Sequence, residues 1–525
     1  MSAPAAGRRG PVGRLKARVL ADSTLTQKAT LNMVASFLDY AARLGVGFVL
    51  NPLLVSRLGS NVFGIYQVLT RLIGYATPAG GRPSQALKWT LAHHQHSSDL
   101  EEKRRQVGSA VTVWFLFLPP LVLVTAVLGW FAPVWLDVPD DLTTTVRIAA
   151  ALLAADLIVI NLVTIPQSVL QGENLGYRRM GLSTAVVVGG GVLTAVVVLL
   201  GGGLAGVAAS VVATTIVTGT LFLWVTRRNV PWFGMTRMGV REVVPFLQLS
   251  GWFLLWNLVM QVMRGSDVVV LGIVGSTELV TVFVLARYVP EAIFGGVAIV
   301  VSAVMPGLGG LVGAQKTERA GGVRSESMSL TWLIATAFGA VYLLWGESFL
   351  ALWVGETYYP GQLASFLIIV MVLQFALIRN DASIIDLTLD LRAKVLLGIL
   401  SAGVAVGLGI AFVDALDAKI TGLVIGFILG RSIQSVAYPW LVGRALGIPT
   451  ARQLRGVVRP AVASTALLVG AALLAPSVST GSWLVLVVAG ALSFVPLAAA
   501  SFYAGLSARQ RRRLLGRVAS VLGRG

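Results

Sequence analysis

The sequence consists largely of apolar stretches of about twenty residues or more, and this feature restricts the fold more than any other. A helix needs about 20 apolar residues to cross roughly 30 Å of hydrocarbon. On that measure the sequence predicts fourteen membrane spans. Since 56% of the side chains are apolar and only 12% are charged, a set of solvated domains is excluded. We therefore expect an all-α polytopic membrane protein.

The spans fall into three groups separated by polar, basic connections. Two groups of six spans form an N-terminal and a C-terminal lobe, and two further spans follow. The tail combines apolar residues at helical spacing with arginines on the other face, which is typical of a helix on an anionic leaflet. The expected segments are a cytoplasmic basic arm at 1–30, the N-terminal lobe at 31–227, a cytoplasmic linker at 228–243, the C-terminal lobe at 244–443, spans thirteen and fourteen at 444–505, and a basic amphipathic tail at 506–525.

The basic residues indicate the orientation of the chain. Lysine and arginine number 41 against 23 acids, a net charge of +18. When every second connection is taken as cytoplasmic, the opposite connections hold only Arg57, Arg147 and Lys419. Both termini are then cytoplasmic, in the cell (inner) membrane. The positive charge is explained by topology, so no nucleic-acid partner is expected.

An internal repeat relates the two lobes. Leu58 to Gly81 and Val274 to Val297 share residues at a constant shift of 216, including Arg71 and Arg287. Arginine is costly inside an apolar span, so this match carries more weight than matches of valine or leucine. Six spans are an even number, so both copies start on the same side of the membrane. The lobes are therefore expected to be pseudo-symmetric about an axis along the membrane normal, as in transporters that rock two halves about a central site.

Arginines within the spans favour an anionic substrate. Arg71 lies about 10 residues past the outer end of its helix, which places it near mid-membrane at about 1.5 Å per residue. Arg287 is equally deep in the second copy. Guanidinium groups from both lobes would suit pyrophosphate, although an arginine could instead cap carbonyls or pair across helices. The candidate substrate-binding residues are Arg71, Arg287, Arg82, Arg43, Arg264 and Arg431.

Acidic residues within the spans are candidates for coupling transport to a gradient of H⁺ or Na⁺. An equally open alternative is that they neutralise arginines, for example in Asp39 with Arg43, Arg287 with Glu291, or Arg264 with Asp267, which have helical spacing. The candidate ion-coupling residues are Asp39, Asp156, Asp267, Glu291, Asp381 and Asp386.

The sequence gives no sign of catalysis or of a cofactor. No stretch matches the phosphate-binding loop consensus, and the outer connections are too short for the catalytic loop of a glycosyltransferase or ligase. His93, His94 and His96 lack a cysteine or a defined acidic partner, so a solvated loop is expected rather than a metal site. We therefore expect a carrier driven by gradients and not an enzyme.

Two segments carry a resemblance to a known family. Asn51 to Gln67, NPLLVSRLGSNVFGIYQ, is similar to that family's loop into its second helix, and VLQGENLGYRRM follows the fourth span. With the paired six-helix halves, these segments make the chain resemble the polysaccharide (O-antigen type) flippases of the multidrug/oligosaccharidyl-lipid/polysaccharide exporter superfamily. The resemblance extends from about Leu31 to Tyr503.

The resemblance implies a gradient-driven flippase that moves undecaprenyl-pyrophosphate-linked oligosaccharide from the inner to the outer leaflet. Polysaccharide or lipopolysaccharide biosynthesis would be its setting, with a polymerase and glycosyltransferases as partners. Lipid II flippases are also similar, and the arginines of their first, second and eighth spans correspond to Arg43, Arg71, Arg82 and Arg287. The choice between these substrates stays open. The main rival is a cation-coupled multidrug exporter of the same superfamily, which would need cavity carboxylates in excess over arginines.

Overall fold

The protein is helical throughout the part of the chain that the computed structural model describes. That part comprises residues 25–81, 83–93, 99–173, 175, 181–236, 240–314, 316–387, 391–415, 419–508, 510–512 and 515. Within it, thirteen helices are long and apolar enough to cross a membrane. The predicted all-α polytopic membrane fold is confirmed.

Fourteen α-helices are numbered here in chain order. They are α1 (Leu25–Gly74), α2 (Pro83–His93), α3 (Leu100–Trp135), α4 (Asp140–Gly172), α5 (Leu182–Leu199), α6 (Gly203–Asn229), α7 (Val240–Val270), α8 (Thr277–Gly313), α9 (Thr317–Trp353), α10 (Gln362–Leu387), α11 (Arg392–Ala415), α12 (Lys419–Leu446), α13 (Thr450–Leu474) and α14 (Trp483–Ala500).

Helix α1 contains the first predicted span and the first part of the second. Its two segments meet at Gly59, whose φ of 81° lies in the left-handed region that glycine adopts without steric cost. After Gly74 the second span is interrupted by the 3₁₀ turn Thr77–Gly80 and by Gly81, and the chain resumes as α2. Thirteen membrane-length helices therefore stand where fourteen spans were predicted.

The two ends of the chain differ from the predicted segments or lie partly outside the described residues. Helix α1 begins at Leu25, so the last residues of the predicted 1–30 arm belong to the first helix. Residues 1–24 lie outside the described part. Of the predicted tail, 506–508, 510–512 and 515 are described.

The helices pack as two lobes with an additional pair. Helices α2, α3 and α6 pack against α4, and α5 packs against α6 and α1. In the second half, α10 and α11 pack against α12, while α9 and α10 pack against α8. Helices α13 and α14 pack along α9. This arrangement agrees with the predicted architecture of two lobes followed by two C-terminal helices.

One contact between the lobes reflects the repeat directly. Thr277 Oγ1 donates a hydrogen bond to Asn61 Oδ1 at 2.5 Å, and the two residues are 216 positions apart. That number is the shift of the sequence repeat. Equivalent residues touch only where a two-fold axis passes between them, so the pseudo-symmetry axis runs close to the ends of the lobes that hold Asn61 and Thr277.

Aromatic side chains fasten α1 to the C-terminal lobe. Tyr40 donates to the Ala292 carbonyl at 2.7 Å, and Tyr288 donates to the Leu44 carbonyl. Trp353 Nε1 donates to the Phe48 carbonyl at 2.7 Å. Buried donors need such partners, and each bond here crosses between lobes.

Gly64 permits the closest approach between the lobes. A Cβ on Gly64 would lie 1.9 Å from the Thr277 carbonyl oxygen and 2.6 Å from its carbonyl carbon. We expect Gly64→Ala to lower stability by about 1–3 kcal/mol, because the backbones must separate to admit the methyl group. Thermal unfolding in detergent should show the loss.

Gly45→Ala is the matched control for this prediction. Gly45 lies in the same helix, and a Cβ there would meet nothing within 4 Å. The control should therefore unfold at or slightly above the wild-type temperature, since alanine favours helix. Equal melting temperatures for the two variants would contradict close packing at Gly64.

Candidate functional site

Asp267 of α7 lies at the centre of a buried group of charges. Its side chain is fully buried, and Arg287 of α8 donates a hydrogen bond to Asp267 Oδ2. Arg431 Nη2 of α12 lies 3.8 Å from the same oxygen. Arg287 Nε also lies 3.0 Å from Glu291 Oε1. Three helices of the C-terminal lobe are thus joined by one carboxylate between two arginines.

Arg71 and Arg264 extend this group toward the N-terminal lobe. The Arg71 side chain packs against Gly265, and a Cβ there would lie 3.4 Å from Arg71 Cβ. Tyr75 packs on the same glycine and interacts electrostatically with both Arg71 and Asp267. Residues 264–267 of α7 therefore separate Arg71 on one side from Arg287 on the other.

Arg287 and Arg431 lie at similar distances from the starts of their helices. Arg287 is ten residues beyond Thr277, the start of α8, which corresponds to about 15 Å of helix. Arg431 is twelve residues beyond Lys419, the start of α12, or about 18 Å. A hydrocarbon layer of about 30 Å places both near mid-membrane.

We call this set the arginine cluster: Arg71, Arg264, Arg287 and Arg431 with Asp267 and Glu291. Four guanidinium groups against two carboxylates leave a formal charge of +2. Arg287 and Arg431 are buried, and both lie within ion-pair distance of Asp267. Arg431 also donates to the Met263 carbonyl. Arg71 is half-buried, and its guanidinium forms no hydrogen bond or ion pair with any described residue. Arg71 is therefore the cation with most capacity for a ligand.

Two helical pairs suggested by spacing are not formed. Arg264 is exposed and donates from Nη2 to Gln261 Oε1 at 3.1 Å rather than to Asp267. Asp39 accepts from Thr184 Oγ1 at 2.8 Å, and Arg43 is exposed on α1. The third pair, Arg287 with Glu291, is present. Arg82 lies outside the described residues.

The remaining ion-coupling candidates also have protein partners. Asp156 of α4 accepts from Thr215 Oγ1 of α6. Asp381 of α10 accepts from Arg324 through Nε at 2.7 Å and Nη2 at 2.8 Å. Asp386 accepts from Lys394 Nζ at 2.5 Å. None of these three lies in the arginine cluster.

The sequence predicts a cytoplasmic connection at Lys316, Arg319 and Arg324, ahead of the ninth span. The structure instead places Arg324 in α9 and buries it. Besides the two bonds to Asp381, its Nη1 donates to Gln453 Oε1 of α13 at 2.9 Å. Arg324 therefore ties α10 and α13 to α9.

Lys394 is a buried cation that the sequence did not single out. The sequence predicts a cytoplasmic connection at Arg392 and Lys394, but the structure buries Lys394 completely in the first turn of α11. Its position two residues after Arg392 resembles an ordinary basic helix start. No sequence pattern distinguishes it, because the groups around it come from three other helices.

The described residues contain no group of three or more His, Cys, Asp or Glu that could hold a metal ion. His94 and His96 lie outside the described part of the chain, as does the side chain of His93.

Solved structures of membrane transporters share this architecture. No family model matches the sequence, and neither does any curated protein. The inward-facing conformation of a multidrug resistance MATE family transporter of the MOP superfamily is 17% identical, with a TM-score of 0.57 over 83% of this chain and 98% of its own. The outward-facing conformation of such a transporter is 16% identical, with a TM-score of 0.55 over 82% and 97%.

A third neighbour is a MOP superfamily transporter from Pyrococcus furiosus with a binding pocket of reverse polarity, for which a different function is suggested. It is 15% identical, with a TM-score of 0.55 over 80% of this chain and 96% of its own. Identities this low concern the fold and not the substrate. The chain has the fold of the MATE transporters of the MOP superfamily.

Proposed function

We propose that this protein is a gradient-driven flippase that carries an undecaprenyl-pyrophosphate-linked oligosaccharide from the inner to the outer leaflet for polysaccharide biosynthesis. The observation that carries the proposal is the arginine cluster, with its formal charge of +2 near mid-membrane between the lobes. The resemblance of the sequence to O-antigen type flippases supports the same substrate class. A cell-membrane location with both termini cytoplasmic belongs to this proposal.

The chemistry of the cluster suits a pyrophosphate. Guanidinium groups present planar sets of donors that match phosphate oxygens, and they stay charged in a buried site. Arg71 has donors available, and Arg264 is exposed next to it on the other lobe. An anion between them would accept bonds from both lobes at once, which links binding to lobe movement.

The partners of the carboxylates argue against cation export. A cationic drug would need negative charge in excess inside the protein. Instead Asp267 is held between two arginines, Asp381 is held by Arg324 and Asp386 by Lys394, whereas Asp39 and Asp156 accept from threonines. The P. furiosus neighbour, with its pocket of reverse polarity, indicates that this fold accommodates pockets of different charge. Lipid II shares the pyrophosphate group and remains the alternative substrate.

Translocation in proteoliposomes tests the proposal. The purified protein should translocate a labelled prenyl-pyrophosphate oligosaccharide, and Arg71→Gln should slow it by about 10- to 100-fold. That range corresponds to one lost charge-assisted hydrogen bond of about 1.5–3 kcal/mol. The measurement is the fraction of labelled lipid that an enzyme or a quencher can reach from one side of the membrane, followed over time.

Arg227→Gln is the matched control, because it removes the same charge outside the cluster. Arg227 is exposed and lies in the last turn of α6. It should leave the rate unchanged. Transport of a cationic dye without any lipid translocation would decide for drug export. If lipid II inhibits translocation of the labelled lipid more strongly than the unlabelled oligosaccharide lipid does, then lipid II is the substrate and the protein acts in peptidoglycan synthesis.

A further inference from the structure

Lys394 occupies a site that has the ligands of a cation site. The side chain is fully buried, and Nζ donates to Asp386 Oδ1 at 2.5 Å and to the Ala382 carbonyl oxygen at 3.1 Å. The ammonium group also lies 3.7 Å from the centre of the Trp256 ring. A carboxylate, a carbonyl and an indole face are all groups that stabilise a monovalent cation. Here the protein supplies that cation itself.

Asp386 connects this buried ammonium group to the surroundings. Its side chain is 37% exposed, whereas that of Lys394 is fully buried. Among the residues that the structure describes, the other charged or titratable groups that interact with the pair are Arg379 of α10 and Tyr438 of α12. A proton leaving Nζ therefore has one carboxylate through which it can reach the exterior of the lobe.

A buried chain of hydrogen bonds joins Lys394 to the arginine cluster. Tyr438 donates to the Lys394 carbonyl at 2.9 Å, and Gln434 Nε2 donates to the Tyr438 hydroxyl at 2.8 Å. Ser401 donates to Gln434 Oε1 at 3.2 Å and to the Gly430 carbonyl at 3.0 Å. Gly430 directly precedes Arg431. The first turn of α11 is thus connected by hydrogen bonds to the segment of α12 that carries Arg431.

We propose that Lys394 and Asp386 form the proton-coupling site of the carrier, and that the driving ion is H⁺ and not Na⁺. This inference rests on the proposed transport function and adds the identity of its ion. The tethered ammonium group fills the position that a metal cation would need. Lysine can release its proton in a buried site, which arginine cannot.

The proton balance of one cycle is simple. The Nζ–H bond breaks and an Oδ1–H bond forms, which converts the ion pair to a neutral amine and carboxylic acid. The acid then releases its proton to water on the cytoplasmic side. A proton from the outer side restores the ammonium group. Each cycle moves one proton inward while the lipid moves outward, with no other reactant.

The test compares translocation with and without an imposed gradient. Proteoliposomes receive a pH difference, acid on the outer side, or an inward Na⁺ gradient, and lipid translocation is measured as above. The wild type should respond to the pH difference by about tenfold and not to Na⁺. Lys394→Arg and Asp386→Asn should lose the response to pH, with a ratio near one, while gradient-free exchange of labelled lipid continues.

Lys394→Met and Arg392→Met complete the design. Lys394→Met should behave like Lys394→Arg, which separates loss of a mobile proton from loss of charge. Arg392→Met removes a charge from an exposed residue of the same helical turn and should keep the full pH response. Acceleration by Na⁺, or an undiminished pH response in both Lys394 variants, would overturn the inference. Absence of any lipid translocation by the wild type would instead remove the proposed function.

Discussion

Asp267→Ala should be the most damaging single substitution in the protein, with a loss of stability of about 3–5 kcal/mol. The change removes the carboxylate that Arg287 and Arg431 share, and both guanidinium groups are nearly fully buried. Two like charges would then face each other, with only the partly exposed carboxylate of Glu291 left beside Arg287. We expect low yield from membranes and a melting temperature about 10 °C below the wild type.

A charge-balanced double variant separates electrostatics from packing. Asp267→Asn with Arg287→Gln keeps a polar side chain at both positions and removes one charge of each sign, so it should recover much of the stability that Asp267→Asn alone loses. Asp39→Asn is the control for a carboxylate that accepts from a threonine, and it should cost less than about 1.5 kcal/mol. A double variant no more stable than Asp267→Asn would contradict the shared-carboxylate account.

The arginine cluster also shows what the sequence could predict about the site. The depth of an arginine in the membrane can be predicted, since it follows from the distance of that residue from the end of its own helix. The repeat places Arg71 and Arg287 at equivalent positions. The residue with which each arginine pairs cannot be predicted in this way, because the partner can lie on another helix. Arg264 lies three positions from Asp267, the spacing for a helical pair, but Arg287 from the next helix takes that carboxylate. Arg287 pairs with Asp267 because Asp267 is buried between helices, and the spacing of residues along one helix does not reveal that burial.

Basic residues at helix ends show the same limit. Arg324 and Lys394 follow the rule that cytoplasmic connections are rich in lysine and arginine. The rule assigns them to a side of the membrane but does not distinguish a solvated side chain from one that turns inward. Asp381, Asp386 and Trp256 draw these two inward, and they lie on other helices. The apolar spans are predictable because each depends on residues close in sequence, and the repeat is visible because two such local stretches can be compared directly.

Linking Asn61 to Thr277 should stop transport almost completely. The natural sequence contains no cysteine, so Asn61→Cys with Thr277→Cys gives a protein with only two thiols. A short bifunctional thiol reagent would join the lobes where equivalent residues meet beside the pseudo-symmetry axis. In the predicted topology this is the outer end, which must open for the lipid to leave if the two halves rock about a central site. Lipid translocation should fall to background and return when a cleavable link is reduced.

A link within one lobe provides the decisive comparison. Thr194 and Ser210 join α5 to α6 inside the N-terminal lobe, with their hydroxyl oxygens 2.8 Å apart. The same reagent on Thr194→Cys with Ser210→Cys should leave translocation within about twofold of the wild type, because rocking of rigid lobes changes no distance inside a lobe. If the Asn61–Thr277 link left transport intact, the lobes would not part at that end, and movement of the substrate past the arginine cluster would need a different opening.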